Sequence, residues 1–173
     1  MEILRTERLR LRTMQEDDAN FYLELVNDPD FIAHIGDRGL RTVDDARRAL
    51  REGPLAMHAL RGHSLYVVER LEDGAPVGLS GLIKRDSLED VDIGYAFLPR
   101  WRGQGYALEA GRGVVGHARA LGIRRLVAIT SPANAASIGL LLKLGLRFDR
   151  QASLAPSEPA VNVYLAQLAP LDA

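Results

Sequence analysis

Residues 91–111 read VDIGYAFLPRWRGQGYALEAG and contain the most informative junction in the chain. The run up to Leu98 is apolar and strand-like, whereas a helical pattern begins at Tyr106. An Arg-x-x-Gly-x-Gly turn, from Arg100 to Gly105, joins the two. A strand, a glycine turn and a helix start in this order are typical of a phosphate site, because a helix N-terminus presents unpaired N–H groups and partial positive charge. Arg100 and Arg102 are expected to add local charge.

Two common phosphate-binding motifs are excluded at this turn. The sequence has no Gly-Lys-Ser/Thr, so it is not a Walker loop. The third glycine of a dinucleotide fingerprint is also missing, because Leu108 occupies its position. The alternative that remains is a glycine turn that only links a strand to a helix.

The segments before the junction predict one strand, two helices and an antiparallel meander. Arg and Leu alternate in RLRLR, which indicates a half-buried strand. One helix is predicted to end at Pro29, and another, opened by Thr42 and Asp45, to stop at Gly53-Pro54. Two strands joined by a turn at Asp73-Gly74 then pair with the strand VDIGYAFLP to complete the meander.

The segments after the junction predict a helix from about Tyr106 to Leu121 and alternating strands and helices beyond it. They are RRLVAIT, PANAASIGLLLKLG, LRFDR and VNVYLAQL, read as strand, helix, strand and strand. We therefore predict a single α/β (α+β) domain over residues 1–173, with helices flanking a mixed, mostly antiparallel sheet of about seven strands.

Composition limits the classes of function. The net charge of −1 excludes bulk attraction to nucleic acid or to an anionic membrane. The absence of Cys excludes disulfides and thiolate catalysis, and the spacing of His58 and His63 matches no usual metal pair, so no metal site is predicted. The first residues lack the apolar segment of a signal peptide, and no apolar run is long enough to span a membrane. A cytoplasmic location is expected.

A second polar cluster follows the strand RRLVAIT. In the segment TSPANAASIGLLLKLGL, Asn134 is suited to cap the helix. Ser137 and Leu141 lie on the same helix face as Asn134, at spacings of three and seven residues. We expect Asn134 and Ser137 to lie beside the glycine turn.

These motifs together resemble the GCN5-related N-acetyltransferase (GNAT) family. The stretch from Arg100 to Gly105 matches its acetyl-CoA signature, and NAASIGLLLKLGL resembles its second coenzyme-binding helix. The opening TERLRLR and the block DIGYAFLP resemble the Rim-type subgroup, whose members acetylate the N-termini of ribosomal proteins.

The resemblance implies a sheet whose central strands splay apart, with coenzyme A in the gap. The backbone of Phe97 and Leu98 would bind the pantetheine arm, and an N–H near Phe97 would stabilise the oxyanion. Asn134 would bind the same arm, and Ser137 would lie near the sulfur. The diphosphate would rest on backbone amides of Arg102, Gly103, Gln104, Gly105, Tyr106 and Ala107.

Direct transfer of an acetyl group to an amine requires a base and a donor for the thiolate. We predict Asp92 as the base, with Asp86 and Glu89 as alternatives. Many relatives use a Tyr on the second coenzyme helix as the acid, but Leu141 stands there in this chain, which leaves Ser137. The three tyrosines that remain alternatives are Tyr95, Tyr106 and Tyr164.

The expected acceptor is a primary amine, either a protein N-terminus or a small molecule. Residues 27–42 are a candidate wall of its pocket, although a plain surface loop between two helices is the competing interpretation. We expect no nucleic-acid or membrane partner and a monomer or homodimer. The competing function is a non-catalytic, regulatory module that binds coenzyme A.

Overall fold

The computed structural model describes residues 1–171, which build one mixed sheet flanked by helices. Eight strands lie in the spatial order β1-β2-β3-β4-β5-β6-β8-β7, and every neighbouring pair is antiparallel except β5 and β6. The strands are β1 (Glu2–Arg5), β2 (Leu9–Thr13), β3 (Leu65–Arg70), β4 (Pro76–Ile83), β5 (Val91–Phe97), β6 (Arg125–Thr130), β7 (Arg147–Ala152) and β8 (Val161–Gln167). The predicted α/β class and mixed, mostly antiparallel sheet are confirmed.

The sheet has one strand more than the sequence predicted. The additional strand is β1, which pairs with β2 after a tight turn in which the Thr6 N–H donates to the Leu9 carbonyl (2.9 Å). It has only four residues, and both of its end residues are exposed. So short a segment is too brief for alternation to be recognised, which is why the sequence did not reveal it.

Six α-helices flank the sheet. They are α1 (Ala19–Val26), α2 (Pro29–His34), α3 (Val43–Leu50), α4 (Ala56–Arg61), α5 (Tyr106–Ala120) and α6 (Ala135–Lys143). Pro29 opens α2 as well as following α1, since a proline fits the first helical turn, where its missing N–H would be unpaired anyway. Asp28 caps α2 by accepting from the Phe31 N–H (3.3 Å).

The predicted stop at Gly53-Pro54 is wrong. The chain continues from α3 through a wider turn, Arg51–Leu55, directly into α4. A wide turn of this kind accommodates the missing N–H of Pro54, so the helical path is not broken. The real stop is Gly62, whose φ of +77° is the left-handed conformation of a helix C-cap.

The helices cover the two faces of the sheet. On one face α5 buries Ala110, Val114 and Ala118 completely, whereas Leu121, the predicted last residue, lies just beyond the end of the helix and is 45% exposed. On the other face α1 and α3 pack against Val67 and other strand residues. Among residues 1–171, no helix is both long enough and apolar enough to cross a membrane.

The central strands β5 and β6 part soon after they meet. Their parallel ladder has only two pairs, Val91 with Leu126 and Asp92 with Val127. Beyond these pairs, β5 stays with β4 up to Phe97, while β6 stays with β8. The predicted splay is therefore present, and we refer to the opening between β5 and β6 beyond Asp92 as the gap.

Candidate active site

The glycine loop, Pro99 to Gly105, connects the end of β5 to the start of α5. Its first residues, Pro99–Trp101, form a single tight turn. Gly103 and Gly105 have φ values of +76° and +81°. Residues other than glycine rarely adopt such φ values, so the path of the loop depends on glycine at both positions.

The backbone at the start of α5 carries a run of unpaired donors. The Arg102 N–H is engaged, because it donates to the Pro99 carbonyl (3.2 Å). Within residues 1–171, no group accepts from the six N–H groups from Gly103 to Leu108, and the next bond runs from the Glu109 N–H to the Gly105 carbonyl (3.1 Å). We call residues 103–108 the amide run. Such donors at a helix N-terminus are suited to an anion.

The arginine side chains of the loop do not add free charge to the amide run. Arg100 pairs with Glu24 at 2.5 Å. Arg102 pairs with Asp28 (3.0 Å) and Asp30 (2.5 Å), at the start of α2. Three carboxylates therefore neutralise the two cations, and the side chains fasten the loop to α1 and α2.

The end of β5 offers fewer free backbone groups than the sequence suggested. The Leu98 N–H already donates to the Val77 carbonyl (3.0 Å). The Phe97 carbonyl accepts from the Arg102 guanidinium, with Nη2 at 2.8 Å. Because backbone groups alternate in direction along a strand, the Phe97 N–H points away from β4 and toward the gap.

Asn134 begins α6 as predicted. Its Oδ1 accepts from the Ser137 N–H (3.2 Å), which fixes the first turn of the helix beside the gap. Leu141, at the position where many relatives have a tyrosine, is fully buried in the core beneath α5. Burial of Leu141 explains why an apolar residue occupies that position.

The structure joins Ser137 to one of the three alternative tyrosines. The Tyr95 hydroxyl lies 2.7 Å from Ser137 Oγ, and burial raises the pKa of Tyr95 although the bond to Ser137 opposes the change. Tyr106 is buried under the Arg8 guanidinium, 4.6 Å from its ring centroid. Tyr164 packs edge-on against Phe148. Only Tyr95 has its hydroxyl on Ser137.

Asp92 lies at the opposite end of β5 from the glycine loop, where β5 still pairs with β6. It is 1% exposed and pairs with Arg85, with 2.9 Å between Nε and Oδ2. Burial raises the pKa of Asp92, while Arg85 acts to lower it. Side chains alternate along β5, so Asp92 and Tyr95 lie on opposite faces of the sheet. The alternative bases, Asp86 and Glu89, are exposed.

Arg85 was not identified from the sequence. It precedes Asp92 by seven residues, across a loop, and no local pattern pairs residues at that distance. The only available signal was an arginine seven residues before the proposed base, because a carboxylate that becomes buried is almost always paired.

The candidate acceptor wall, residues 27–42, consists of one short helix and a longer loop. The helix is α2, and the loop that follows is held by an ion pair between Asp37 and Arg41 (2.7 Å). The Arg38 guanidinium lies 5.9 Å from the centroid of the Phe31 ring. The segment is connected to the glycine loop through the pairing of Arg102 with Asp28 and Asp30.

Known proteins are similar to this chain over most of its length. The family model described as an acetyltransferase (GNAT) domain matches residues 8–147. YkkB of Bacillus subtilis (strain 168) is 30% identical over 151 residues, which cover 84% of this chain and 85% of YkkB. The uncharacterized N-acetyltransferase p20 of Bacillus licheniformis is 27% identical over 175 residues, covering 97% of this chain and 96% of p20.

A solved structure has the same fold. RimL, a ribosomal L7/L12 alpha-N-protein acetyltransferase in complex with coenzyme A, aligns with a TM-score of 0.82 and 18% identity. The alignment covers 97% of this chain and 98% of RimL. With its splayed sheet, its glycine loop and a family model matched over most of its length, the chain belongs to the GNAT family of acetyltransferases, which use acetyl-CoA as the acetyl donor.

Proposed function

We propose that the protein binds acetyl-CoA through the gap and transfers the acetyl group directly to a primary amine of a protein N-terminus or a small molecule. The observation that carries this assignment is the amide run, six unpaired N–H groups at the N-terminus of α5. Their geometry suits the coenzyme's diphosphate. Asn134 and Ser137, in the first turn of α6, would face the pantetheine arm and the sulfur.

In the proposed reaction, the amine nitrogen attacks the thioester carbon, the C–N bond forms, and the electrons of the C–S bond go to sulfur. The Phe97 N–H faces the gap and would stabilise the oxyanion. Ser137 would hydrogen-bond the departing thiolate. An ammonium with a pKa between about 8 and about 10.4 must first lose a proton.

We assign Asp92 as the base that accepts the proton of the ammonium. Burial raises the pKa of its carboxyl, which makes the carboxylate a better base than an exposed one. Because Asp92 is buried against Arg85, the proton would reach it through water rather than by direct contact with the acceptor. Asp86 and Glu89 remain the alternatives if this path is not used.

The competing proposal is a module that binds coenzyme A without turnover. Two observations favour it: Leu141 is buried where many relatives have a tyrosine, and Asp92 is closed into an ion pair. Release of free thiol that depends on an added amine would separate the enzyme from the module.

The remaining assignments are proposals of the same kind. We propose a cytoplasmic location because acetyl-CoA is supplied by metabolism inside the cell. The absence of a nucleic-acid or membrane partner is proposed from the net charge of −1. A monomer or a homodimer is proposed as well.

The acceptor can be found by mass spectrometry of cellular peptides and metabolites incubated with the protein and isotope-labelled acetyl-CoA. We expect label on peptide N-termini or on a small amine, and none with a Gly105→Val variant that is folded. If acetyl-CoA binds but there is neither a labelled product nor amine-dependent release of thiol, the non-catalytic module is supported instead.

A further inference from the structure

The hydroxyl of Tyr95 joins the two walls of the gap. Asp92 is the last residue of β5 that pairs with β6. Tyr95 lies three residues further along β5, on one wall of the gap. Ser137 lies in the first turn of α6, which follows β6 in the chain. Their hydroxyl oxygens are 2.7 Å apart although the residues are 42 positions apart in sequence.

We infer that Tyr95 is a positioning residue, which directs the hydroxyl proton of Ser137 toward the sulfur of bound coenzyme A. The inference rests on the proposed function, because it requires the sulfur to lie beside Ser137. It assigns a role to a side chain that the family signature in the glycine loop does not contain.

The direction of the hydrogen bond follows from the chemistry of the two hydroxyls. A phenol, with an ordinary pKa of about 10, is a much stronger hydrogen-bond donor than an aliphatic alcohol. The Tyr95 hydroxyl also has the Ser137 carbonyl oxygen within 3.4 Å, so acceptors surround its proton on that side. We therefore assign Tyr95 as the donor and Ser137 Oγ as the acceptor.

With Tyr95 as donor, the proton of Ser137 is free for another acceptor. The Ser137 N–H is held by Asn134, which fixes the backbone of that turn. Within residues 1–171, the hydroxyl of Ser137 has no hydrogen-bond partner other than Tyr95. The sulfur of bound coenzyme A would supply the missing acceptor for the Ser137 hydroxyl.

The two hydrogen bonds would run in series, from Tyr95 to Ser137 and from Ser137 to the sulfur, and would stabilise negative charge on the sulfur. Each hydrogen bond in such a chain polarises the next and strengthens it. When the C–S bond breaks, its electrons go to sulfur, and Ser137 donates a hydrogen bond to the thiolate. The thiolate takes its proton from solvent as coenzyme A leaves, so Tyr95 and Ser137 both end the cycle unchanged.

A titration of the bound coenzyme A thiol tests this inference without an acceptor. Thiolate absorbance is measured against a reference that contains the same protein with desulfo-coenzyme A, so tyrosine ionisation cancels. We expect the thiol pKa to rise by about one unit in Tyr95→Phe, the change expected when a hydrogen bond to a charged group is weakened.

Further variants make the test specific. Ser137→Ala is expected to raise the thiol pKa at least as much, and Tyr95→Phe/Ser137→Ala to raise it no further than Ser137→Ala alone. Tyr66→Phe is the matched control: Tyr66 is buried, Tyr95 is half-buried, and the Tyr66 hydroxyl contacts His117 (3.1 Å) instead of Ser137.

The outcomes separate the inference from the proposed function. A thiol pKa that is unchanged in Tyr95→Phe or in Ser137→Ala, or changes that add in the double variant, would overturn the role of Tyr95. Calorimetry of the same wild-type sample reports coenzyme binding independently. If coenzyme A does not bind to the wild-type protein in that measurement, the proposed function itself fails and the inference fails with it.

Discussion

The two ends of strand β5 differ in how their polar groups are satisfied. At the C-terminal end, β5 has left β6, and the glycine loop that follows leads to the unpaired N–H groups of the amide run. At the N-terminal end, β5 is still paired with β6, and Asp92 is buried and bound to Arg85. The same short strand thus connects an open site to a closed one.

The difference shows which parts of the reaction are prepared in advance. Donors for an anion are already oriented at the open end, so binding of the coenzyme requires little rearrangement. The carboxylate at the closed end is shielded from solvent and engaged by Arg85. In the proposed reaction, proton removal would therefore need a water path to Asp92, whereas coenzyme binding would need no such step.

The largest expected effect comes from substituting a glycine at the open end. Gly105→Val forces a side chain into a φ of +81°, and its Cβ would lie 3.3 Å from Arg8 Nη2. The loop must shift, and losing two hydrogen bonds to the diphosphate is expected to weaken acetyl-CoA affinity by about 100-fold or more. Calorimetry with acetyl-CoA measures the effect.

Gly122→Val is the matched control for Gly105→Val. Gly122 has the same φ of +81° and follows the other end of α5, where an added Cβ would meet nothing within 4 Å. Both variants carry the same backbone strain, so both should lose stability, but only Gly105→Val should lose affinity. If the two folded variants bind acetyl-CoA with equal affinity, the amide run does not bind the diphosphate.

At the closed end, Asp92→Asn removes the proposed base while keeping its size. We expect kcat to fall by about 10²-fold at neutral pH, with acetyl-CoA affinity nearly unchanged. The loss should shrink as the pH approaches the pKa of the acceptor amine, where free amine no longer has to be generated. A rate profile between neutral and alkaline pH, with any acceptor found, gives the answer. A loss that is the same at all pH values would make Asp92 a structural residue.

Asn134→Ala gives a smaller effect on the opposite wall of the gap. Loss of the cap on the Ser137 N–H is expected to lower stability by about 1 kcal/mol. The KM for acetyl-CoA should rise, because the same side chain is proposed to bind the pantetheine arm. Urea unfolding and initial rates separate the two contributions. A drop in stability with an unchanged KM would leave Asn134 as a cap only.

The smallest effect is a pH dependence of stability that comes from Asp92. Because burial raises its pKa in the native state, the unfolded state loses this proton first as the pH rises. The contribution to stability is complete below the unfolded pKa of about 3.9 and is lost as the pH passes the native pKa. Relative to Asp92→Asn, the wild type should therefore lose stability as the pH increases from about 4 to about 7. A difference in unfolding free energy that stays constant over this range would contradict the raised pKa.

Local patterns were sufficient for most of the fold and for the glycine loop. The predicted turn at Asp73-Gly74 has Gly74 at a φ of +71°, and the predicted glycine turn has Gly103 and Gly105 at positive φ values. Turn and cap signals depend on a few adjacent residues, so the sequence alone carries them. The four-residue β1 and the continuation of the helix through Pro54 depend on packing and were therefore missed.

Contacts between distant residues could not be predicted from one sequence. Arg102 was expected near the phosphates, but its side chain pairs with Asp28 and Asp30, which lie 74 and 72 positions away. The pairing of Tyr95 with Ser137 likewise depends on how α6 packs beside β5. Residue types indicated the chemistry of the site, whereas only the fold shows which partners each side chain has.

The central claim is that the amide run binds the diphosphate of coenzyme A, and amide NMR during a titration tests it most directly. We predict that the N–H signals of residues 103–108 move more than any others when coenzyme A is added to ¹⁵N-labelled protein. Pantetheine, which lacks the diphosphate, should leave them nearly unchanged. The claim is contradicted if these signals move no more than those at the other end of α5, residues 118–122, while coenzyme A is bound.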